Sequence, residues 1–305
     1  MNRLYSVLVA IAFSLAGAWQ HQAIGQDSEP PNKESQSEPA ADEKTADAGE
    51  KQDLPPDEIV RRAFGPPPEA VALTKKKSLW IDRKRKRVYL DAYVAMRRGV
   101  LELFACPSGT KEHESIVATL ATAREVHAAL LAIDATPGTP VRHLPQFVPA
   151  TGQVIRVWVC WRDDKGQFQV SDARQWIQKQ GTKKAMEAEW VFAGSSFWHD
   201  PTDGRDYYQA DGGDMICVSN FTTAMMDVTI SSSAQADQLQ FVTFEERIPE
   251  IGTPVRLILA PIPNPTDKPG PKPHTDPNQP PGKEVLPTNK PAVQEPGAAA
   301  DAAKS

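Results

Sequence analysis

Over most of the middle of the chain, short apolar runs recur between turn-forming clusters, the arrangement expected of strands joined by tight turns. Runs of this kind, rich in β-branched and aromatic residues, lie at 79–82, 87–96, 100–105, 154–161, 168–170, 190–198, 205–209, 215–220, 225–231, 239–243 and 255–259. Turn-forming clusters separate several of them, as at Arg97-Arg98-Gly99, Asp163-Asp164-Lys165-Gly166 and Asp200-Pro201-Thr202-Asp203-Gly204. Helical spacing shows in three short places only. Residues 57–65 begin with a capping Asp57 and end on Gly65, and residues 123–133 carry Val126, Leu130 and Ile133 on one stripe behind a Thr122/Glu125 capping box. Residues 173–180 follow Asp172 and Gln175 at the same capping spacing, with Gly181 as the stop. Many strands, few helices and frequent hairpins predict an α+β fold, with a mainly antiparallel sheet, two or three short helices and disordered tails at both ends.

The two ends lack this patterning. Arg3, the apolar run from Val7 to Ala18 and the small residues after it read as a signal peptide over residues 1–25. That run is shorter than the roughly 20 residues that span a bilayer, and no second long apolar run follows. The expectation is therefore export to the periplasm, cell envelope or medium, with no transmembrane segment beyond the leader. Residues 26–56 are mostly Glu, Asp, Ser, Lys, Pro and Ala, and residues 262–305 are Pro-rich, so neither stretch promises enough apolar burial to offset its ordering entropy. Both are predicted to be disordered, which leaves residues 57–261 as one domain.

Charge narrows the picture only a little. A net charge of −5 favours solubility and points to no partner. The basic run Arg83-Lys84-Arg85-Lys86-Arg87 sits between Leu79-Trp80-Ile81 and Val88-Tyr89-Leu90, so it reads as the solvated turn of a hairpin, and no nucleic-acid partner is expected. Cys106, Cys160 and Cys217 lie far apart with no C-x-x-C pair, which removes the zinc-ribbon and thioredoxin spacings. Cys160, inside a β-branched and aromatic run, reads as a small buried hydrophobe.

Candidate chemistry is concentrated in two polar stretches. Residues 106–115, Cys-Pro-Ser-Gly-Thr-Lys-Glu-His-Glu-Ser, bring a thiol, an imidazole, carboxylates and an ammonium onto a loop at a strand end. Residues 211–217, Asp-Gly-Gly-Asp-Met-Ile-Cys, place two carboxylates and a second thiol around two glycines, although a tight turn alone would explain them. The candidate binding residues are Cys106, Lys111, His113, Glu114, His127, Asp211, Asp214 and Cys217. Among them His113, Glu114, His127 and Asp214 would suit zinc or another divalent ion, while their spacing matches no helical metal motif and no cofactor is required. A Cys106 thiolate beside His113 would be a nucleophile, and Cys106 and Cys217 could instead form a disulfide. His127, next to the apolar stripe of its helix, reads first as a half-buried, hydrogen-bonded side chain, and the functional alternative is a second imidazole facing the loop that carries His113.

At these residues the chain resembles the YdjY-domain family of exported bacterial proteins. The likeness is carried, in order, by Phe104-Ala105-Cys106 and the run through Ser115, by Val126-His127-Ala128-Ala129-Leu130-Leu131, by Pro137-Gly138-Thr139-Pro140 and by Ala210-Asp211 through Asn220, and it covers roughly residues 79–261. The resemblance implies no established activity. Some relatives are labelled ferredoxin-like, and three cysteines cannot supply the four thiolates of an iron–sulfur cluster. The expected function is a non-catalytic domain that binds a ligand, an ion or an envelope partner. The competing expectation is a metal- or thiol-dependent hydrolase or redox enzyme that uses the same two loops.

Overall fold

The strand-forming segments close on themselves. The computed structural model describes residues 54–75, 77–235, 238–265 and 275–288; the expected signal peptide, most of the expected N-terminal linker and the last residues of the expected C-terminal tail lie outside the described residues. Eight strands form a ring: β1 (Arg87–Val94), β2 (Leu103–Pro107), β3 (Ser115–Thr119), β4 (Val154–Arg162), β5 (Trp190–Phe192), β6 (Ile216–Cys217), β7 (Met226–Val228) and β8 (Pro254–Pro261). Around the ring the order is β1, β8, β4, β5, β7, β6, β2, β3 and back to β1. The β6–β7 and β2–β3 pairs are parallel and the other six are antiparallel. Strand Leu79–Asp82 extends the sheet beyond β1, and Phe168–Asp172 pairs with β4.

This closed, mostly β barrel corrects the expectation of an α+β fold with a mainly antiparallel sheet. Strand-like runs read the same in an open sheet and in a ring, so the β1–β3 contact that closes the barrel leaves no mark in the sequence. Among the described residues there are two α-helices, α1 (Pro56–Ala63) and α2 (Ala123–Ala132). The third expected helix is instead a 3-10 turn, Ala173–Trp176, followed by a strand, Ile177–Lys179, that pairs with Phe241–Thr243. The expected strand 190–198 is broken, because Gly194 and Ser195 both take positive φ.

Successive side chains of the walls go to opposite faces, and both faces are buried. Val88, Leu90, Ala92 and Val94 of β1, Ile155, Val157 and Val159 of β4, and Val255, Leu257 and Leu259 of β8 point into the barrel, where α2 adds Val126, Ala129 and Leu130. Helix α2 is fixed at its start by the reciprocal Thr122/Glu125 capping box, as its sequence predicts. The outward residues of the same strands are also covered. Tyr89, Trp158, Cys160 and Ile258 pack with Trp80 and Phe64, and with Val285 and Leu286 from the C-terminal stretch. Here Arg256 is fully buried, donating to Asp91 (2.7 Å) and to the carbonyls of Val285 (2.7 Å) and Gly65 (3.1 Å). Sequence reasoning assigned residues 275–288 to a tail; the structure lays them against the barrel, with the Trp158 indole donating to the Pro277 carbonyl.

Candidate functional site

Two very short parallel connections create the polar face. Parallel neighbours normally need a crossover of a dozen or more residues, yet β2 and β3 are joined by residues 108–114 and β6 and β7 by residues 218–225. Each connection must run back along the outside of the strands that it joins. The two straps therefore lie on the barrel wall over the adjacent strands β2 and β6. Beneath them the outward side chains Leu103, Cys106, Cys217 and Ala224 form a small sealed cluster, with Phe221 of the second strap packed on top.

Lys111 links the straps. Its ammonium lies 3.0 Å from Asp214 Oδ1 and 3.4 Å from Glu114 Oε1, and 4.7 Å from the centre of the Phe221 ring. Burial disfavours the charge, but Asp214 and then Glu114 hold the Lys111 pKa above its ordinary value. The stem reaches Asp214 by passing flush over Gly213, whose φ is 134° and where an added Cβ would stand 2.6 Å from the Lys111 stem carbons. Asp214 Oδ2 also accepts from the Thr223 hydroxyl, so the carboxylate ties both straps. Within the first strap Glu112 accepts from the Gly109 amide (2.9 Å), the Tyr93 hydroxyl (2.7 Å) and Ser108 (3.3 Å). Burial works against its ionisation, but these donors keep Glu112 below the usual carboxylate range, and burial together with this arrangement pushes Tyr93 up to about 12.

Both thiols under the straps are free and shut off from solvent. Burial raises the Cys106 pKa, and burial with the nearby Asp227 and Asp214 carboxylates raises that of Cys217 well above the ordinary thiol value. Asp227 is itself fully buried. Its Oδ1 accepts from the Val228 amide (2.7 Å) and Asn220 (3.1 Å), its Oδ2 has no hydrogen-bond partner, and burial lifts its pKa to about 7. Glu102, beside Glu114, is also raised, first by burial and then by that neighbour.

The structure therefore brings together Cys106, Lys111, Glu114, Asp214 and Cys217 from opposite halves of the domain, and sends three other candidates elsewhere. His113 is at the rim with its side chain 78% exposed, and its nearest charged partner is Glu114 at 3.8 Å rather than a thiol or Asp214. Asp211 accepts from the Arg124 amide (2.9 Å) and pairs with its guanidinium (3.2 Å), placing negative charge at the positive N-terminal end of α2. His127 lies with Phe192 and Tyr208. Because the Tyr208 hydroxyl donates to the Gly194 carbonyl (3.0 Å), its oxygen accepts from His127 Nδ1 (2.7 Å), and burial lowers the His127 pKa. Among the described residues no group of three or more His, Cys, Asp or Glu is placed to hold a metal ion. Sequence reasoning missed Glu102, Phe221 and Asp227; the apolar-polar-apolar order Met226-Asp227-Val228 was the one signal for an outward carboxylate in a covered strand.

Fold and site together define a closed β-barrel domain with two interlocked straps sealing a pair of thiols against its wall. The chain belongs to the YdjY-domain family, whose model, described as YdjY domain, matches residues 79–260. No curated protein and no solved structure matches the chain.

Proposed function

We propose that this chain is an exported, non-catalytic binding domain of the cell envelope, which engages a ligand or partner through the strapped face around His113. The observation that carries this reading is the use of Lys111: its ammonium is held between Asp214 and Glu114, so the most reactive-looking groups of the two loops serve to hold the face in shape. The thiols fit the same reading, because a thiol whose pKa is raised by burial is a poor nucleophile and a poor metal ligand at neutral pH. Export rests on the leader-like first 25 residues.

Two measurements on protein purified from the envelope fraction test the proposal. Elemental analysis is expected to find no stoichiometric metal, and a thiol reagent is expected to modify the cysteines only on unfolding. One equivalent of zinc, or rapid modification of Cys106 in the folded protein, would replace it with the metal- or thiol-enzyme reading. N-terminal sequencing is expected to find the leader removed, and an intact Met1 in the membrane fraction would contradict export.

A further inference from the structure

Between β5 and the Asp211 loop the chain builds a hairpin, Phe197–His199 paired with Asp206–Tyr208, that forms a two-stranded sheet of its own and joins no barrel strand. Its root is fixed, since Tyr208 is buried and tied to His127 and Gly194 while Ser196 donates to Gln209 (2.7 Å). Its outer part is aromatic and open to solvent: Phe197 is 62% exposed, Trp198 49% and Tyr207 41%, three of the four exposed aromatic rings among the described residues. Cross-strand partners share a face, and Trp198 and Tyr207 are directly paired, with ring centres 6.0 Å apart and planes 34° from parallel. Large aromatic rings exposed together on one small element mark an interaction surface, because burial in the core is ordinarily the more stable place for them.

The charge around this platform selects the occupant. The hairpin carries Asp200, Asp203 and Asp206 against Arg205 and His199; Asp206 is taken up by His199 Nδ1 (2.9 Å), while Asp203 accepts from the Tyr207 hydroxyl, which sets a carboxylate at the edge of the rings. Aromatic faces attract cations through their quadrupole, and flanking carboxylates add to that attraction. We propose that the Trp198/Tyr207 face of this hairpin is a docking site for a lysine- or arginine-bearing peptide segment of a partner protein, with an ammonium or guanidinium lying over the rings beside Asp200 and Asp203. The site is distinct from the strapped face and stands or falls separately from it.

Calorimetric titration of the full chain with tetra-arginine and tetralysine, at low and at physiological salt, tests the proposal, with tetraglutamate and a neutral chitotetraose as comparators. Binding of a cationic peptide is expected, weakened about tenfold by Trp198→Ala and to a similar degree by the double substitution Asp200→Asn/Asp203→Asn. Both variants alter exposed side chains and are expected to melt with the parent, which separates loss of the site from loss of the fold. No cationic-peptide binding at millimolar concentration would overturn the proposal. So would cationic binding that neither variant changes, or Trp198-dependent binding confined to the saccharide or to a second copy of the chain.

Discussion

Asp227 shows how much a single side chain can do in a covered barrel wall. Its carboxyl has two donors, no cationic partner and carboxylates nearby, and burial carries it to about 7. The unfolded chain gives up this proton near pH 4, as an ordinary aspartate does. Between about pH 4 and 7 the native state therefore binds the proton that the unfolded state has lost, so this contribution favours folding at low pH and disappears as pH rises through about 7. Glu112, held below its usual range, has the opposite sign: its contribution is present above about pH 4.3 and is lost as pH falls through its folded value. Replacing Asp227 with Asn should flatten the stability profile and leave the variant more stable than the parent at pH 8. Urea unfolding at pH 5, 6, 7 and 8 measures this, and an unchanged slope in the variant would refute it. Asp91, raised in the same direction, contributes equally to both proteins and drops out of the comparison. At this scale the sequence was informative where polar groups are dense, as at Lys111 and Asp214, and nearly silent where one carboxylate stands between two apolar neighbours. His113 misled because residue type carries no information about direction, whereas His127 is the half-buried, hydrogen-bonded side chain that its place beside the apolar stripe suggested.

The elements read from periodicity survive where local signals and tertiary contacts agree. Helix α2 is the best case, with cap and stripe both legible, and Thr122→Ala should remove the capping box at about 1 kcal/mol. The segment 173–180 failed because its capping signal, Asp172 accepting from the Arg174 amide, serves a single 3-10 turn. The β-branched Ile177 beyond it pairs with Thr243 in a strand. The C-terminal stretch failed for another reason: only Val285 and Leu286 stand out in a Pro-rich sequence, yet both are buried and two of Arg256's hydrogen-bond acceptors depend on this packing or lie beside it. Burying two such side chains stabilises by roughly 1.5–3 kcal/mol each. A chain ending at residue 265 should unfold at clearly lower urea and expose Cys160 to a thiol reagent, whereas unchanged stability with a protected Cys160 would show that these contacts contribute nothing.

At the scale of the whole molecule, the site follows from the topology. A ring containing two parallel pairs with very short connections has to lay those connections on its outer wall, and the β2–β6 neighbourhood brings them side by side. The polar residues that looked like a dispersed catalytic set are there to fasten one strap to the other and to close over two thiols. None of this could be read from the strand-like runs alone, since register, parallel pairing and closure are set by contacts between residues about 100 positions apart. Among the described residues, Lys111–Asp214 is the one ion pair that crosses from the first strap to the residues leading into the second. A double-mutant cycle with Lys111→Met and Asp214→Asn, followed by urea unfolding at pH 7, isolates their coupling. Each single substitution should destabilise, and the pair should show a coupling of about 1–3 kcal/mol, as fits a partly buried pair; additive effects, with no coupling, would mean that the straps are not fastened to each other.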